Sequence, residues 1–416
     1  MPKPVLLVGA MDTKGEDFAY VQQLIEQQGL KTLVVDFGVL GQAKGIYVDI
    51  PRSEVAKAGG GDLKAMQAEQ KKDYCMETMT KGLTKVVRKL YDDGKIGGIL
   101  GMAGSGGTSI ASAAMRALPV GFPKLMVSTV ASEDVSAYVG TKDIMMVSSI
   151  VDVAGLNRIS KLVYANAAGA IAGAVKQERP KIDESRQVIT ASMFGNTTKA
   201  VDRGKQLFEK EGYEVLVFHA TGTGGKVMES LIEDGLVNAC FDFTTTELAD
   251  FVCGGVMSAG PDRLMAGART GIPTVIVPGC VDMANFWGVE TMPPKYQSRK
   301  LYKWNPNVTL MRTDVEENVK IGELIARAAN AHTTSDVTIL LPLKGVSMLD
   351  SPGGEFWDVA ANQACFNTIK KLVKPGIPII EIDANINDPV FVDKTVEVLL
   401  AMIKHAAEKK AELATV

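Results

Sequence analysis

Histidine is scarce in this sequence, cysteine occurs only singly, and no segment is both long and apolar. Three histidines and five cysteines occur among 416 residues. The cysteines (Cys75, Cys240, Cys253, Cys280 and Cys365) stand far apart, are odd in number and form no Cys-x-x-Cys pair. That pattern argues against a structural zinc site and against a disulfide framework, and it fits reduced thiols in a cytoplasmic protein. No apolar run approaches the roughly 18 residues that a membrane span requires. The first residues lead straight into a strand-like segment, without the apolar stretch and cleavage site of a signal peptide. An excess of positive charge is missing as well. The net charge of -3 argues against a nucleic-acid backbone as partner.

What the sequence does contain is an alternation of short β-branched runs with helical patterns. Residues 5–9, 32–37, 96–100, 124–129 and 144–149 read as strands. Helical patterns follow them, including a long stretch over 63–91, one over 108–118 and a closing small-residue helix over 156–176. The segment 177–185 is charged, contains proline and lacks apolar periodicity, so it reads as a linker. The alternation then resumes with strands over 188–193, 214–219, 239–243, 274–277, 309–311, 338–341 and 379–382. A final helix begins at Pro389 and is free to dock on either half. Continuous apolar strands alternating with helices imply parallel sheets covered on both faces. The expectation is an α/β protein with two Rossmann-like domains, residues 1–178 and 186–416, each with a mainly parallel sheet flanked by helices. Ligands of such sheets sit beyond the carboxyl ends of the strands, so the residues just after each strand are the candidates for chemistry.

Three loops in the first half stand out. Gly9-Ala10-Met11-Asp12-Thr13-Lys14-Gly15-Glu16 joins a strand to a helix, where backbone N–H groups favour an anion. Thr13 and Lys14 add a hydroxyl and a cation, and Asp12 is available either to a ligand or as a helix cap. Gly101-Met102-Ala103-Gly104-Ser105-Gly106-Gly107-Thr108-Ser109 has the composition of a phosphate cradle, four glycines with the hydroxyls of Ser105, Thr108 and Ser109. It lacks the Gly-Lys-Ser/Thr of a Walker A loop. Ser128 to Ser136 carries Glu133 and Asp134, either of which could supply a carboxylate to magnesium or simply begin a helix.

In the second half, His219-Ala220-Thr221-Gly222-Thr223-Gly224-Gly225-Lys226 repeats the logic of the cradle and adds the charge of Lys226. His219, at a strand end, is the histidine best placed for acid–base work, against the alternative of a structural role. Cys280 has the position of a nucleophile but no basic neighbour in sequence, which favours a buried thiol. Arg312 and Lys344 end two further strands and could bind carboxylate or phosphate, or pair on the surface.

Together, the 9–16 loop, Gly104-Ser105-Gly106-Gly107-Thr108, the 219–229 segment, Pro342-Leu343-Lys344-Gly345-Val346-Ser347 and Asp350-Ser351-Pro352-Gly353-Gly354-Glu355-Phe356-Trp357 resemble the Tm-1-like family of uncharacterised (UPF0261-type) proteins. The resemblance runs nearly end to end. It implies two Rossmann-like domains, ATP and Mg2+ bound to the first, and a tendency to form homodimers. A plant member of the family blocks a viral replication protein and carries a further barrel domain. This sequence ends before such a domain could fit, so that role is not carried over. By the resemblance, Asp12 to Lys14 and Gly104 to Ser109 are the phosphate candidates.

Three functions remain open from sequence. One is an ATP/Mg-dependent enzyme that closes its second domain over a small organic substrate, with His219, Lys226 and Lys344 lining the facing cleft and Glu133 or Asp134 holding the metal. The second is a nucleotide-dependent interaction module without turnover. The third is an isomerase, lyase or hydrolase for a sugar acid or sugar phosphate, in which the loops hold substrate and no ATP is used.

Overall fold

The computed structural model describes residues 2–69, 71–178, 180, 185–333 and 335–414. They form two compact units that divide between residues 181 and 182. Of the 177–185 linker, residues 179 and 181–184 lie outside the described residues.

The first unit contains β1 (Val5–Gly9), α1 (Met11–Gln27), β2 (Thr32–Asp36), α2 (Arg52–Ala58), α3 (Leu63–Glu69), α4 (Lys72–Asp92), β3 (Gly98–Ala103), α5 (Ser105–Arg116), β4 (Lys124–Ser128), α6 (Ser136–Val139), β5 (Met145–Ser148) and α7 (Arg158–Lys176). Its sheet runs β2-β1-β3-β4-β5 and is parallel throughout. Successive residues of a strand point to opposite faces, so Val5 and Leu7 pack with α1 and α7 while Leu6 and Val8 pack with α2, α4 and α5. All four are fully buried, which explains why the strand is continuously apolar. The chain steps from β1 outward to β2, then crosses back to β3 on the other side. The helices leaving β1 and β3 therefore lie on opposite faces, and a crevice opens between them at the carboxyl ends.

The second unit contains β6 (Val188–Met193), α8 (Thr198–Lys210), β7 (Glu214–His219), α9 (Thr223–Glu233), β8 (Ala239–Asp242), α10 (Thr246–Cys253), α11 (Ala266–Thr270), β9 (Thr274–Ile276), β10 (Met283–Phe286), β11 (Leu301–Asn305), β12 (Val308–Arg312), α12 (Val315–Ala331), β13 (Val337–Pro342), α13 (Val359–Leu372), β14 (Ile379–Ile382) and α14 (Pro389–Ala414). A six-stranded parallel sheet has the order β14-β13-β9-β8-β6-β7. Read from β7, its first five strands repeat the order of the first unit's sheet. The final helix docks here: Phe391, Val392, Val396, Leu399 and Ile403 of α14 join the core that holds Phe208, Phe241 and Phe243.

Two sequence expectations change. The 63–91 stretch is two helices, one ending at Glu69 and the next starting at Lys72, and the sequence between their apolar faces is polar, with no apolar side chain to tie one straight helix to the sheet. The 309–311 strand does not join the parallel sheet. It belongs to β12, which pairs antiparallel with β10 and β11 in a separate three-stranded sheet. The Asn305 side chain, accepting from Asn307 N at 2.8 Å, makes the tight turn that folds β11 back on β12.

Candidate functional site

The crevice between β1 and β3 holds a pocket of about 220 Å³. Three strand ends line it: Ala10, Asp12, Thr13 and Lys14 after β1, residues 37–40 after β2, and Ala103, Gly104, Gly106 and Gly107 at the β3–α5 junction. Met76 and Ile110 complete the wall. The first and second sequence loops thus meet in one place.

The glycine-rich segment is not an extended loop. β3 continues to Ala103, α5 starts at Ser105, and only Gly104 is left between them. Each glycine has its own reason. A Cβ on Gly101 would lie 2.8 Å from Met126 Sδ, and one on Gly107 2.6 Å from Ala103 Cβ, so both serve close packing. A Cβ on Gly106 would meet only Met76, at 3.8 Å, so this glycine leaves its backbone facing the pocket. Gly104 is the N-cap of α5 and has no side chain to cap with. The first amide bonded back along the helix is that of Thr108, to Gly104 O at 2.9 Å. Among the described residues nothing accepts from the amides of Ser105, Gly106 and Gly107, which is the arrangement an oxyanion fits.

The hydroxyls are less available than their number implies. Thr108 Oγ1 donates to Gly104 O or Ser128 Oγ, at 2.9 and 2.6 Å, and is fully buried. Ser109 Oγ donates back to Ser105 O at 3.2 Å. Ser105 is exposed at the helix start. Thr129, unassigned from sequence, brings its Oγ1 to 3.7 Å from the position of a Gly104 Cβ.

The β1–α1 turn differs from the α5 start. Met11 N donates to Asp36 Oδ1 at 3.0 Å, and Gly38 N donates to the same oxygen at 2.8 Å. Asp36 therefore already fills the anion position at α1, and burial raises its carboxyl pKa. Asp12 does not cap the helix; its Oδ2 accepts from Gly41 N at 2.8 Å and so ties down the segment after β2. Lys14 lines the pocket while its ammonium donates to Val153 O. The metal expectation does not converge on this site. Glu133 and Asp134 are exposed and lie outside the lining; Asp134 Oδ1 accepts from Ser136 N at 2.9 Å, which lowers its pKa. No group of three or more His, Cys, Asp or Glu residues suited to a metal occurs among the described residues.

The second glycine-rich segment is filled from within. Glu247 Oε1 accepts from Gly222 N at 2.7 Å and from Gly225 N at 3.0 Å, so a buried carboxylate occupies the start of α9. A Cβ on Gly225 would lie 2.2 Å from Glu247 Oε2. Arg263 fixes this arrangement, with Nε at 2.6 Å from Glu247 Oε2 and its two terminal nitrogens at 2.5 and 2.7 Å from the oxygens of Asp242. Glu229 is a third acidic partner, at 3.1 Å. Burial alone would lower the arginine's pKa, but Asp242, Glu247 and Glu229 outweigh it and hold the pKa above its ordinary value. The residues glycine permits at 222–225 therefore accommodate an internal carboxylate. Arg263, 37 residues past Lys226, carried no motif by which sequence could have found it.

His219, Lys226 and Lys344 do not form one group. His219 ends the edge strand β7, is exposed, and sets its ring at a 38° tilt to that of Phe194, with centroids 5.3 Å apart. Partial burial lowers its pKa, with Glu247 opposing. Lys226 is exposed on α9. Lys344 pairs with Asp383 at 2.9 Å on the surface after β13. Four strand steps separate β7 from β13, roughly 19 Å at about 4.8 Å per step. The corresponding crevice of this unit, between β6 and β8, is closed: Asn196, Thr197, Thr244, Thr245 and Thr246 are buried, and Thr246 Oγ1 donates to Met283 O of β10 at 3.1 Å.

Sequence comparison supports the division into two units. Residues 3–180 match the N-terminal domain of the uncharacterised protein family UPF0261, and residues 186–403 match its C-terminal domain. The chain belongs to the UPF0261 family. A UPF0261 protein of Clostridium tetani is 46% identical over 405 residues, 97% of this chain and 100% of that one. The ToMV resistance protein Tm-1(GCR237) of Solanum lycopersicum is 40% identical over 329 residues, 77% of this chain but 44% of the tomato protein. Among solved structures, a Streptomyces glycosyltransferase complexed with thymidine diphosphate is 11% identical, covering 94% of this chain and 99% of that one, with a TM-score of 0.19. At that score the likeness carries no functional argument for this UPF0261 protein. No helix among the described residues is long and apolar enough to cross a membrane.

Proposed function

We propose that the first unit binds a phosphate-bearing small molecule, ATP being the leading candidate, through the start of α5. The observation that supports this reading is the set of three unengaged amides, Ser105 to Gly107, at the helix start where Gly106 and Gly107 line a pocket at the crossover of a doubly wound sheet. A phosphate there would accept three N–H bonds and meet the positive end of the helix dipole. Phe37, Val39, Leu40, Met76 and Ile110 give the organic part an apolar wall. At about 220 Å³ the pocket is smaller than the roughly 300–1,000 Å³ of a complete drug-sized site. It suits a terminal phosphate and its nearest atoms, with the remainder of a nucleotide extending past Leu40. Magnesium would travel on the phosphate oxygens, and Asp12 is the one carboxylate in the lining to meet it.

The reading is of binding first. Both ionisable side chains in the lining are engaged, Asp12 with Gly41 N and Lys14 with Val153 O, and neither stands as a free general base. Titration calorimetry with ATP, ADP and inorganic phosphate tests the site, followed by an assay for ADP release. Saturable binding that Gly106→Val abolishes without unfolding the protein supports the proposal. Undiminished affinity in the folded variant removes α5 from the site.

A further inference from the structure

Beyond the carboxyl ends of β9 and β13, two aspartates face one arginine in the buried interior. Asp282, Asp350 and Arg312 are each 4% exposed or less. Ser347 links the acids: its Oγ donates to Asp282 Oδ2 at 2.8 Å and accepts from Asp350 N at 2.9 Å. Asp350 Oδ2 accepts from Val346 N at 2.9 Å and from Asn362 Nδ2 at 2.7 Å. The remaining oxygen of each acid, Asp282 Oδ1 and Asp350 Oδ1, has no hydrogen-bond partner among the described residues. Arg312 approaches Asp350 Oδ1 only to 3.5 Å, because its N–H groups are directed to Phe356 O, Thr313 O and Asn362 Oδ1. Native interiors rarely leave carboxylate oxygens unpaired, and two ionised acids against one guanidinium would leave a net negative charge buried.

We propose that Asp282 and Asp350 hold a single proton between them in the folded protein, and that this proton keeps the β10-β12-β11 sheet seated on the strand ends of the second unit. With one proton the trio is neutral. The sheet is attached at both ends of the cluster: Asp282 directly precedes β10, Arg312 is the last residue of β12, and Thr313 N donates to Asp282 O at 2.9 Å. The other groups facing the pair add no compensating charge. Cys280, on the same loop as Asp282, is kept a neutral thiol by burial and by Asp282, and α13 contributes the neutral amide of Asn362. Burial, then the charge of Asp350, raises Asp282 to about 7, with Arg312 opposing; burial raises Asp350 in the same way. The two acids titrate as one coupled unit.

The sign follows from linkage. A carboxyl whose folded pKa is raised stabilises the fold fully below its ordinary value of 3.8, and that stabilisation is lost as pH rises toward about 7. The ratio of the folding constant of the wild type to that of Asp282→Asn should therefore fall about tenfold per pH unit between about pH 5 and about pH 7, then level off. Infrared difference spectra of the full chain, wild type minus variant, read the proton directly. A protonated-carboxyl band at about pH 6 that disappears by about pH 8 supports the proposal; it is specific to the pair because Asp250, also raised to about 7, is common to both proteins. Superimposable spectra at about pH 6, or a pH-independent stability ratio, overturn it. Should Asp282→Asn fail to fold, Asp350→Asn removes the same proton and is read in the same way.

Discussion

Gly106 and Gly107 are neighbours with different duties, and substitution separates them. Gly106→Val adds atoms into the pocket mouth near Met76, so the protein should stay folded while affinity for phosphate-bearing ligands falls by at least tenfold in calorimetry. Gly107→Ala pushes a methyl onto Ala103 and should cost about 1–3 kcal/mol of stability in urea unfolding, as overpacking does. His332 gives a second residue-scale test. It is buried against Gly267, both ring nitrogens lack partners among the described residues, and burial lowers its pKa to about 4, with Asp336 opposing. The unfolded chain takes up a proton near 6.5 that the folded one refuses. Stability is thus complete above 6.5 and is lost as pH falls toward about 4, by up to about 3 kcal/mol. Urea unfolding at about pH 7 and about pH 4.5 should show that loss in wild type and a smaller one in His332→Leu.

At the scale of elements, the helix starts divide by what occupies them. Asp36 serves α1, Glu247 serves α9, and α5 keeps its amides open. Arg263 is central to the α9 arrangement. Replacing it with methionine would strand Asp242, Glu247 and Glu229 without their cation, a loss of about 3–5 kcal/mol measured by urea unfolding. Lysine should recover little, since it cannot hold Asp242 through two nitrogens while reaching Glu247. These contrasts explain how much was legible in sequence. The strand–helix alternation revealed both parallel sheets because their strands are apolar on both faces, and the segments after β1 and β3 singled out in sequence line one pocket. Glycine content misled at 222–225, because a glycine that admits a ligand and one that admits a distant glutamate have the same local signature. The β10-β12-β11 sheet escaped notice because β10, Met-Ala-Asn-Phe, and β11, Leu-Tyr-Lys-Trp-Asn, are short and show no apolar run of their own.

For the whole molecule, the two units share a strand order but differ in openness. The β1/β3 crevice holds a pocket, whereas the β6/β8 crevice is closed by threonines and β10. Titration should therefore give one phosphate ligand per chain, not two. A stoichiometry of two that falls to one in Gly106→Val would show that the closed crevice opens in solution.

The uncapped first turn of α5 also has a practical side. Its three amides cannot distinguish a nucleotide's terminal group from any other tetrahedral oxyanion. Protein fractionated with ammonium sulfate would arrive at the calorimeter with a competitor in place and give falsely weak affinities, whereas chloride buffers would spare it. The same indiscriminateness is useful to a crystallographer, because a tungstate soak should deposit its heavy atom at that turn and mark it, whatever the natural ligand is.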